Sequence, residues 1–325
     1  MGIFKKMRIF FMGTPDYALP SLERLFQKEE VIGVVTQPDR IQGRGRRIIP
    51  SPVKKLAGEK GIIVYQPEKV NLPSFISKIE KIAPDLIVVV GFGQILNKKI
   101  LSIPRVCCIN LHFSLLPHYR GPAPIPWAII RGEKYTGVTV QRIEEKVDKG
   151  EIILQESLPI ALDDTRGILE EKLSLIGADL LEKVVKKLEE NKIKFLAQDE
   201  RQASYAPKIK KKDGLINWNK SCLKIHNLVR GLNPSPGAFA LISLRGKEKK
   251  IKIWQTELLK EKNREKENSP GKIVKIEKEK GFWIKGGDGF LLIKEVQLPD
   301  RKRINGYDFI KGYHIKEGFI LGGRN

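Results

Sequence analysis

"MRIFFMGTPDYALPSLERLFQ", residues Met7 to Gln27, decides the fold. Its first part, Met7 to Gly13, is a short apolar run ending at glycine and reads as a buried strand entering a turn. The rest, from Asp16, reads as the helix that follows. The same alternation continues down the chain. "EVIGVVTQPD" supplies a second strand, and "SPVKKLAGEKG" (Ser51 to Gly61) a short helix with a serine cap and a stopping glycine. "IIVYQP", "DLIVVVGFG" and "VCCINLH" are three more β-rich runs, with the helical "FISKIEKI" between the first two. Apolar strands alternating with helices predict an α/β domain with a mostly parallel sheet. "GVTVQRIEE" and "GEIILQESLPI" form a later hairpin-like pair, and Asp163 to Lys192 an amphipathic helix.

The pattern changes near residue 191. "IKFLAQDERQASYAPKIKKKDG" is polar and broken and reads as a connector. Shorter strands with turn signals follow, such as "GAFALISLRG" and "KKIKIWQTELL". They suit a small barrel or sandwich of the oligonucleotide-binding type. The expected organisation is a catalytic domain over residues 1–190, a linker over 191–208, and a smaller β domain over 209–325.

With 325 residues, two domains are the natural expectation. Charge says more. Sixty Lys and Arg stand against 38 Asp and Glu, a net +22. A lysine-rich proteome would raise both signs but does not explain the excess, which points to a polyanionic partner. Residues 209–325 hold 27 Lys and Arg against 13 Asp and Glu, so +14 lies there and +8 in the other 208 residues. That concentration favours a nucleic-acid surface on the second domain.

Cys107, Cys108 and Cys222 offer no disulfide framework and no metal-binding spacing, so a reduced cytoplasmic compartment and no metal are expected. No apolar stretch is long enough for a bilayer span, and no targeting segment is recognised, although Met7 is an alternative start. A monomer without a membrane partner is expected. The turn "FMGTPDYA" sits where a dinucleotide fold would carry G-x-G-x-x-G, but Thr14 and Pro15 follow Gly13, so a nicotinamide cofactor is not expected.

Chemistry concentrates in "NLHFSLLPHYRGPAPIPWAI", Asn110 to Ile129. Strand side chains alternate faces, so Asn110 and His112 point the same way at the carboxyl end of a parallel strand, where open α/β sheets bind ligands. A lone buried histidine is ordinarily structural. An amide beside it on the same face, before a Pro-Gly loop, favours function instead. Both side chains can donate hydrogen bonds to a carbonyl oxygen that becomes negative. No G-x-S-x-G elbow is present and Cys107 is one position off that face, which argues for direct acyl transfer rather than an acyl-enzyme. A carboxylate is still needed. "EEKVDKGEI" offers Glu144, Glu145, Asp148 and Glu151, of which Asp148 has the best local context. Trp127 reads as a packing residue of the next helix.

Taken in order, "GTPDYALPSLERL", "VTQPDRIQGRGRR", "PSPVKKLA", "INLHFSLLPHYRGPAPIPWAI", "GVTV" and "VDKGEII" resemble the successive blocks of the methionyl-tRNA formyltransferase family. The likeness runs from about residue 7 to the end and is strongest through residue 170. It implies a Rossmann-like catalytic domain and a C-terminal barrel. It also implies 10-formyltetrahydrofolate as formyl donor and initiator methionyl-tRNA as acceptor in translation initiation. The family's catalytic Asn, His and Asp match Asn110, His112 and Asp148. Its folate-binding S-L-L-P matches Ser114, Leu115, Leu116 and Pro117. Phe113, where relatives often carry a small residue, and Pro126 are the departures.

"QPDRIQGRGRRIIPSP", Gln37 to Pro52, carries Arg40, Arg44, Arg46 and Arg47 among glycines and few acids. By composition it is a solvated loop. Beside a formyl-transfer site it becomes a candidate grip on acceptor-stem phosphates, and the resemblance places Arg44 in the family's acceptor-arm loop. Lys208 and "KIKKK" extend the basic track. A formyltransferase for a small substrate, or a formyltetrahydrofolate hydrolase, would share Asn110, His112 and Asp148 but would need neither the arginine loop nor a basic second domain. A nucleic-acid-binding module without catalysis would not need the three side chains.

Overall fold

The computed structural model describes residues 6–42, 47–259 and 269–322. Two compact units interleave along the chain. The first gathers the chain up to Pro124 with Tyr135–Pro159 and Glu170–Ala206. The second gathers Ile125–Lys134, Ile160–Leu169 and the chain from Pro207 onward.

In the first unit the order is β1 (Arg8–Gly13), α1 (Leu19–Lys28), β2 (Glu30–Val35), β3 (Arg40–Gln42), β4 (Arg47–Ile49), α2 (Pro52–Glu59), β5 (Val64–Tyr65), α3 (Pro73–Ile82), β6 (Leu86–Val90), α4 (Lys98–Leu101) and β7 (Cys107–His112). After α5 (Pro124–Arg131), most of which belongs to the second unit, come β8 (Tyr135–Arg142), β9 (Ile152–Pro159) and α6 (Arg166–Glu189). A seven-stranded sheet runs β5-β2-β1-β6-β7-β8-β9. The pairs from β5 to β7 are parallel, while β8 and β9 add antiparallel. The mostly parallel sheet and the late hairpin are as expected, although "IIVYQP" yields only a two-residue strand.

Central parallel strands are covered on both faces, which is why β6 reads LIVVV with all five residues buried. Helix α2 begins as its sequence suggests: Ser51 Oγ accepts from Lys54 N at 3.1 Å, and Pro52 opens the first turn. The chain leaves β1 for β2 and β5 on one side, then crosses to β6 and β7 on the other. The β1/β6 boundary is therefore the topological switch point, and ligands of such sheets lie beyond the strand ends there.

The second unit adds α7 (Cys222–Gly231), β10 (Ala238–Leu244), β11 (Lys247–Leu258), β12 (Ile273–Glu277), β13 (Gly281–Lys285), β14 (Phe290–Gln297), β15 (Ile304–Asn305) and α8 (Gly306–Gly312). Its antiparallel sheet runs β10-β11-β14-β13-β12, with β15 beside β14. Residues 320–322 join the two edges: Gly322 exchanges both backbone hydrogen bonds with Leu241 of β10, and Leu321 N donates to Gly271 O just before β12. Edge groups left open would otherwise invite pairing with other chains. The core of this unit combines Val229 of α7, Ile251 and Ile253 of β11, Phe282 of β13 and Phe309 of α8.

Candidate active site

A cavity of about 490 Å³ opens at the switch point of the parallel sheet. Tyr17 lines it from the turn after β1, Gly91–Leu96 from the loop after β6, Asn110–Phe113 from the end of β7, and Gln141–Glu145 with Asp148 from the end of β8 and the loop that follows it. Asn110 pairs with Val89 of β6 and Gln141 of β8, and His112 pairs with Thr139 of β8. Asn110 and His112 therefore stand on one face, as their two-residue spacing predicts.

His112 is 6% exposed. Its Nε2 lies 3.0 Å from Tyr119 O. A carbonyl only accepts, so the Nε2 proton is committed there and Nδ1 is the nitrogen left for chemistry. Nδ1 faces Asp148 Oδ1 at 3.6 Å, close enough for charge attraction and too far for a hydrogen bond. The Asp148 carboxylate is itself held twice: Gly121 N donates to Oδ2 at 2.7 Å and Gln141 Nε2 to Oδ1 at 3.0 Å. Its backbone is left-handed, φ 54°, which turns the side chain back from the loop toward His112. Asn110, half-buried on the cavity wall, shows no side-chain hydrogen bond among the described residues, so its amide is available to a ligand. Glu144 and Glu145 are exposed, as their charged run suggests.

Ser114, Leu115, Leu116 and Pro117 occupy a different position. Among the described residues none of the four lines the cavity. Their polar atoms turn inward: Ser114 Oγ donates to His118 O at 2.6 Å, and Thr139 Oγ donates to Ser114 O at 2.6 Å. Leu116 N donates to Thr139 Oγ, and Gln155 Nε2 to Leu116 O. The loop is pinned to β8 and β9 and carries the chain from His112 to Gly121. Phe113, the departure noted in sequence, is buried on the cavity wall with its ring edge-on to Tyr17 at 4.9 Å between centroids.

Arg44 and Arg46 lie outside the described residues, and Arg47 opens β4 of the β3–β4 hairpin. The base of this hairpin is tied to the cavity wall. Gln37 Nε2 donates to Phe92 O at 3.1 Å, and Gln66 Nε2 bridges Gln37 O and Asp39 Oδ1. Hydrogen bonds from Lys54 and Gln66 hold the Asp39 carboxyl below its ordinary range. Lys208 is exposed in the second unit. Trp127, half-buried in α5, donates Nε1 to Pro207 O at 2.7 Å and does not line the cavity.

Sequence reasoning missed Gln141, Gln198 and the role of Arg120. Gln198 lies in the segment read as a connector, which as far as Ala206 is built into the first unit: Leu196 pairs with Ile152, and Tyr205 with Arg120. Gln141 had a signal: it stands two beyond Thr139, on the same face of β8. Among the described residues no group of three or more His, Cys, Asp and Glu could hold a metal, and no helix is long and apolar enough to cross a membrane.

The first unit is an open α/β sheet with Asn110, His112 and Asp148 gathered beyond its switch point. Residues 5–185 match the formyl transferase family, and residues 208–314 match the formyl transferase C-terminal domain. A sugar 3N-formyl transferase, WlaRD, solved in the presence of dTDP and 5-N-formyl-THF, shares the fold. Its TM-score is 0.65 at 24% identity, over 91% of this chain and 99% of that one. The methionyl-tRNA formyltransferase of Ruminiclostridium cellulolyticum is 43% identical over 317 residues, covering 97% of this chain and 100% of the relative. That of Acetivibrio thermocellus is 44% identical over 317 residues, with the same coverage. The chain belongs to the methionyl-tRNA formyltransferase family.

Proposed function

We propose that the protein transfers the formyl group of 10-formyltetrahydrofolate to the α-amino group of initiator methionyl-tRNA, in the cytoplasm and as a monomer. The product, formylmethionyl-tRNA, serves translation initiation. The observation that carries this reading is the convergence of Asn110, His112 and Asp148 on one cavity.

The donor occupies the cavity with its formyl carbon at the Asn110–His112 edge. The apolar Phe92, Ile95 and Leu96 suit the flat ring of a pterin. Ser114 to Pro117 serve the folate by fixing the loop between His112 and Gly121. The neutral amine attacks the formyl carbon, and the carbonyl oxygen becomes an oxyanion. The Asn110 amide and the His112 Nδ1–H, in its imidazolium form, donate to that oxygen. Asp148, 3.6 Å from Nδ1, supplies the opposite charge that stabilises the imidazolium. The C–N10 bond then breaks. As it breaks, the Nδ1 proton of His112 goes to N10 of the leaving tetrahydrofolate, while Asp148 collects the proton lost by the amine and returns it to Nδ1, so no net proton is gained or lost.

On the acceptor side, Arg44, Arg46 and Arg47 with Lys208 hold tRNA phosphates, in keeping with the +22 charge of the chain. The test follows formyl transfer from 10-formyltetrahydrofolate to charged initiator tRNA as salt is raised. Transfer that falls with salt, together with an Arg44→Ala variant that raises KM for tRNA and leaves KM for folate unchanged, supports the reading. Release of formate with no transfer to tRNA overturns it.

A further inference from the structure

A buried cation is wired to the Asp148 carboxylate through two side-chain amides. Arg120 is 1% exposed, and its guanidinium is used on two sides. Nε and Nη2 both donate to Gln198 Oε1, at 3.0 and 2.7 Å. Nη1 and Nη2 form a bidentate pair with Glu200, at 3.0 and 2.9 Å, and Lys149 reaches the same carboxylate at 2.9 Å. Because Gln198 Oε1 is occupied by two cationic donors, its amide can take only one orientation, with the NH₂ group turned away from Arg120. That NH₂ donates to Gly150 O at 2.7 Å, Asp148 O at 3.0 Å and Gln141 Oε1 at 3.2 Å. Gln141, its oxygen thus engaged, turns its own Nε2 to Asp148 Oδ1 at 3.0 Å. Every donor in the series Arg120, Gln198, Gln141, Asp148 points the same way, from cation to carboxylate.

We propose that Gln198 is a positioning residue for formyl transfer, fixing both the left-handed backbone of Asp148 and the orientation of its carboxylate, with Arg120 setting the direction of the relay. The proposal rests on the catalytic role given above to Asp148. Aligned hydrogen bonds polarise one another, so a relay that starts at a guanidinium strengthens its last bond, the one to the carboxylate. Two carbonyls, of Asp148 and Gly150, converge on one amide, and this holds a non-glycine residue at φ 54° without a ladder hydrogen bond. The last stretch of the first unit, read in sequence as a connector, thereby reaches the chemistry: Gln198 and Glu200 come from it, whereas Asp148 and Gln141 come from the β8–β9 region.

Gln198→Glu separates the donor function from shape. It keeps the size and the contact to Arg120, and replaces the donating NH₂ by an acceptor facing three other acceptors. Gln198→Met removes both functions without adding charge, and serves if the glutamate variant does not fold. Both are compared with wild type and with Asp148→Asn in steady-state formylation, varying 10-formyltetrahydrofolate and charged tRNA separately. The expected result is a fall in kcat of about 10- to 100-fold, the scale of a misplaced catalytic group, with KM for both substrates within about threefold of wild type. Adding either change to Asp148→Asn should cost nothing further, because the residue acts through Asp148. Unchanged kcat, KM rising as far as kcat falls, or losses that multiply in the double variant would each overturn the inference while leaving the Asp148 reading intact. If Asp148→Asn itself turns over like wild type, the catalytic reading fails and the inference fails with it.

Discussion

His112 Nδ1 and Asp148 Oδ1 stand 3.6 Å apart, an attraction without a hydrogen bond. The imidazole is oriented instead by Tyr119 O, and the carboxylate by Gly121 N and Gln141 Nε2. Each partner is therefore fixed independently of the other, and a proton arriving on Nδ1 closes the gap between them without reorganising either. Removing the charge of Asp148 should act on the transition state and leave His112 in place.

Asp148→Asn is the clean probe of that charge, because asparagine tolerates φ 54°. Turnover should fall by about 10²- to 10⁴-fold, the usual worth of a positioned acid or base, with a smaller loss of stability to urea because the new NH₂ must face Gly121 N or Gln141 Nε2. Asp148→Ala should show the same loss of turnover and in addition unfold more easily, by about 1–2 kcal/mol, because alanine strains the left-handed position. Equal turnover in Asp148→Asn and wild type would remove Asp148 from the chemistry.

Gly121 carries two constraints at once. Its φ is 112°, and a Cβ built there would lie 2.9 Å from Ala206 O, a backbone atom that cannot swing aside. Its N–H also holds Asp148 Oδ2. Gly121→Ala should lower stability by about 1–3 kcal/mol and reduce kcat as well, read by urea denaturation and single-turnover formylation. A variant with lower stability but wild-type kcat would show that the hydrogen bond to Asp148 is dispensable.

His226 in α7 ties stability to pH. Burial pushes its pKa below the ordinary 6.5, against an opposing hydrogen bond to Leu162 O, with Arg230 lowering it further and Asp163 raising it. Nδ1 meets Thr256 Oγ at 2.8 Å and Nε2 meets Leu162 O at 3.2 Å. A depressed folded value means that the unfolded chain takes up the proton first as pH falls. The stabilisation is thus complete above pH 6.5 and is lost as pH drops below it toward the folded value. Urea midpoints measured between pH 8 and 5.5 should fall less in His226→Gln than in wild type. Parallel slopes in the two proteins would exclude His226 as the source.

The three thiols should be inert in the native protein. Burial raises Cys107 to about 11 and Cys222 to about 12, and pushes Cys108 higher still. Iodoacetamide at pH 8 should leave the intact mass unchanged, and in urea should add three alkyl groups. Rapid native labelling of any one of them would contradict its burial.

Much of this site was legible in the sequence because its central elements are local. β7 announces itself as an apolar run, and the two-residue spacing of Asn110 and His112 follows from strand geometry alone. Asp148 was narrower: four acidic residues competed within one short run, and what separates Asp148 from Glu144 is a backbone twist and two donors from elsewhere. Gln198 was invisible for a related reason. It meets Arg120 across 78 residues and Gly150 across 48, and no period or cap marks such a meeting. The S-L-L-P stretch illustrates the reverse. Its residues stand out in sequence, yet their hydrogen bonds face β8 and β9 rather than the cavity.

The interleaving of the two units sets the order in which this protein can mature on the ribosome. Ala128 and Ile129 are fully buried, but the segments grouped with theirs begin only at Ile160 and Pro207. For much of synthesis that apolar face has no finished core to enter, while the strands from β1 to β9 are already available to pair. The edges of the β10–β12 sheet stay unjoined until residue 322 has emerged. Nascent chains should therefore pass through a stage with a formed parallel sheet and a sticky, waiting α5, the kind of intermediate that trigger-type chaperones shield.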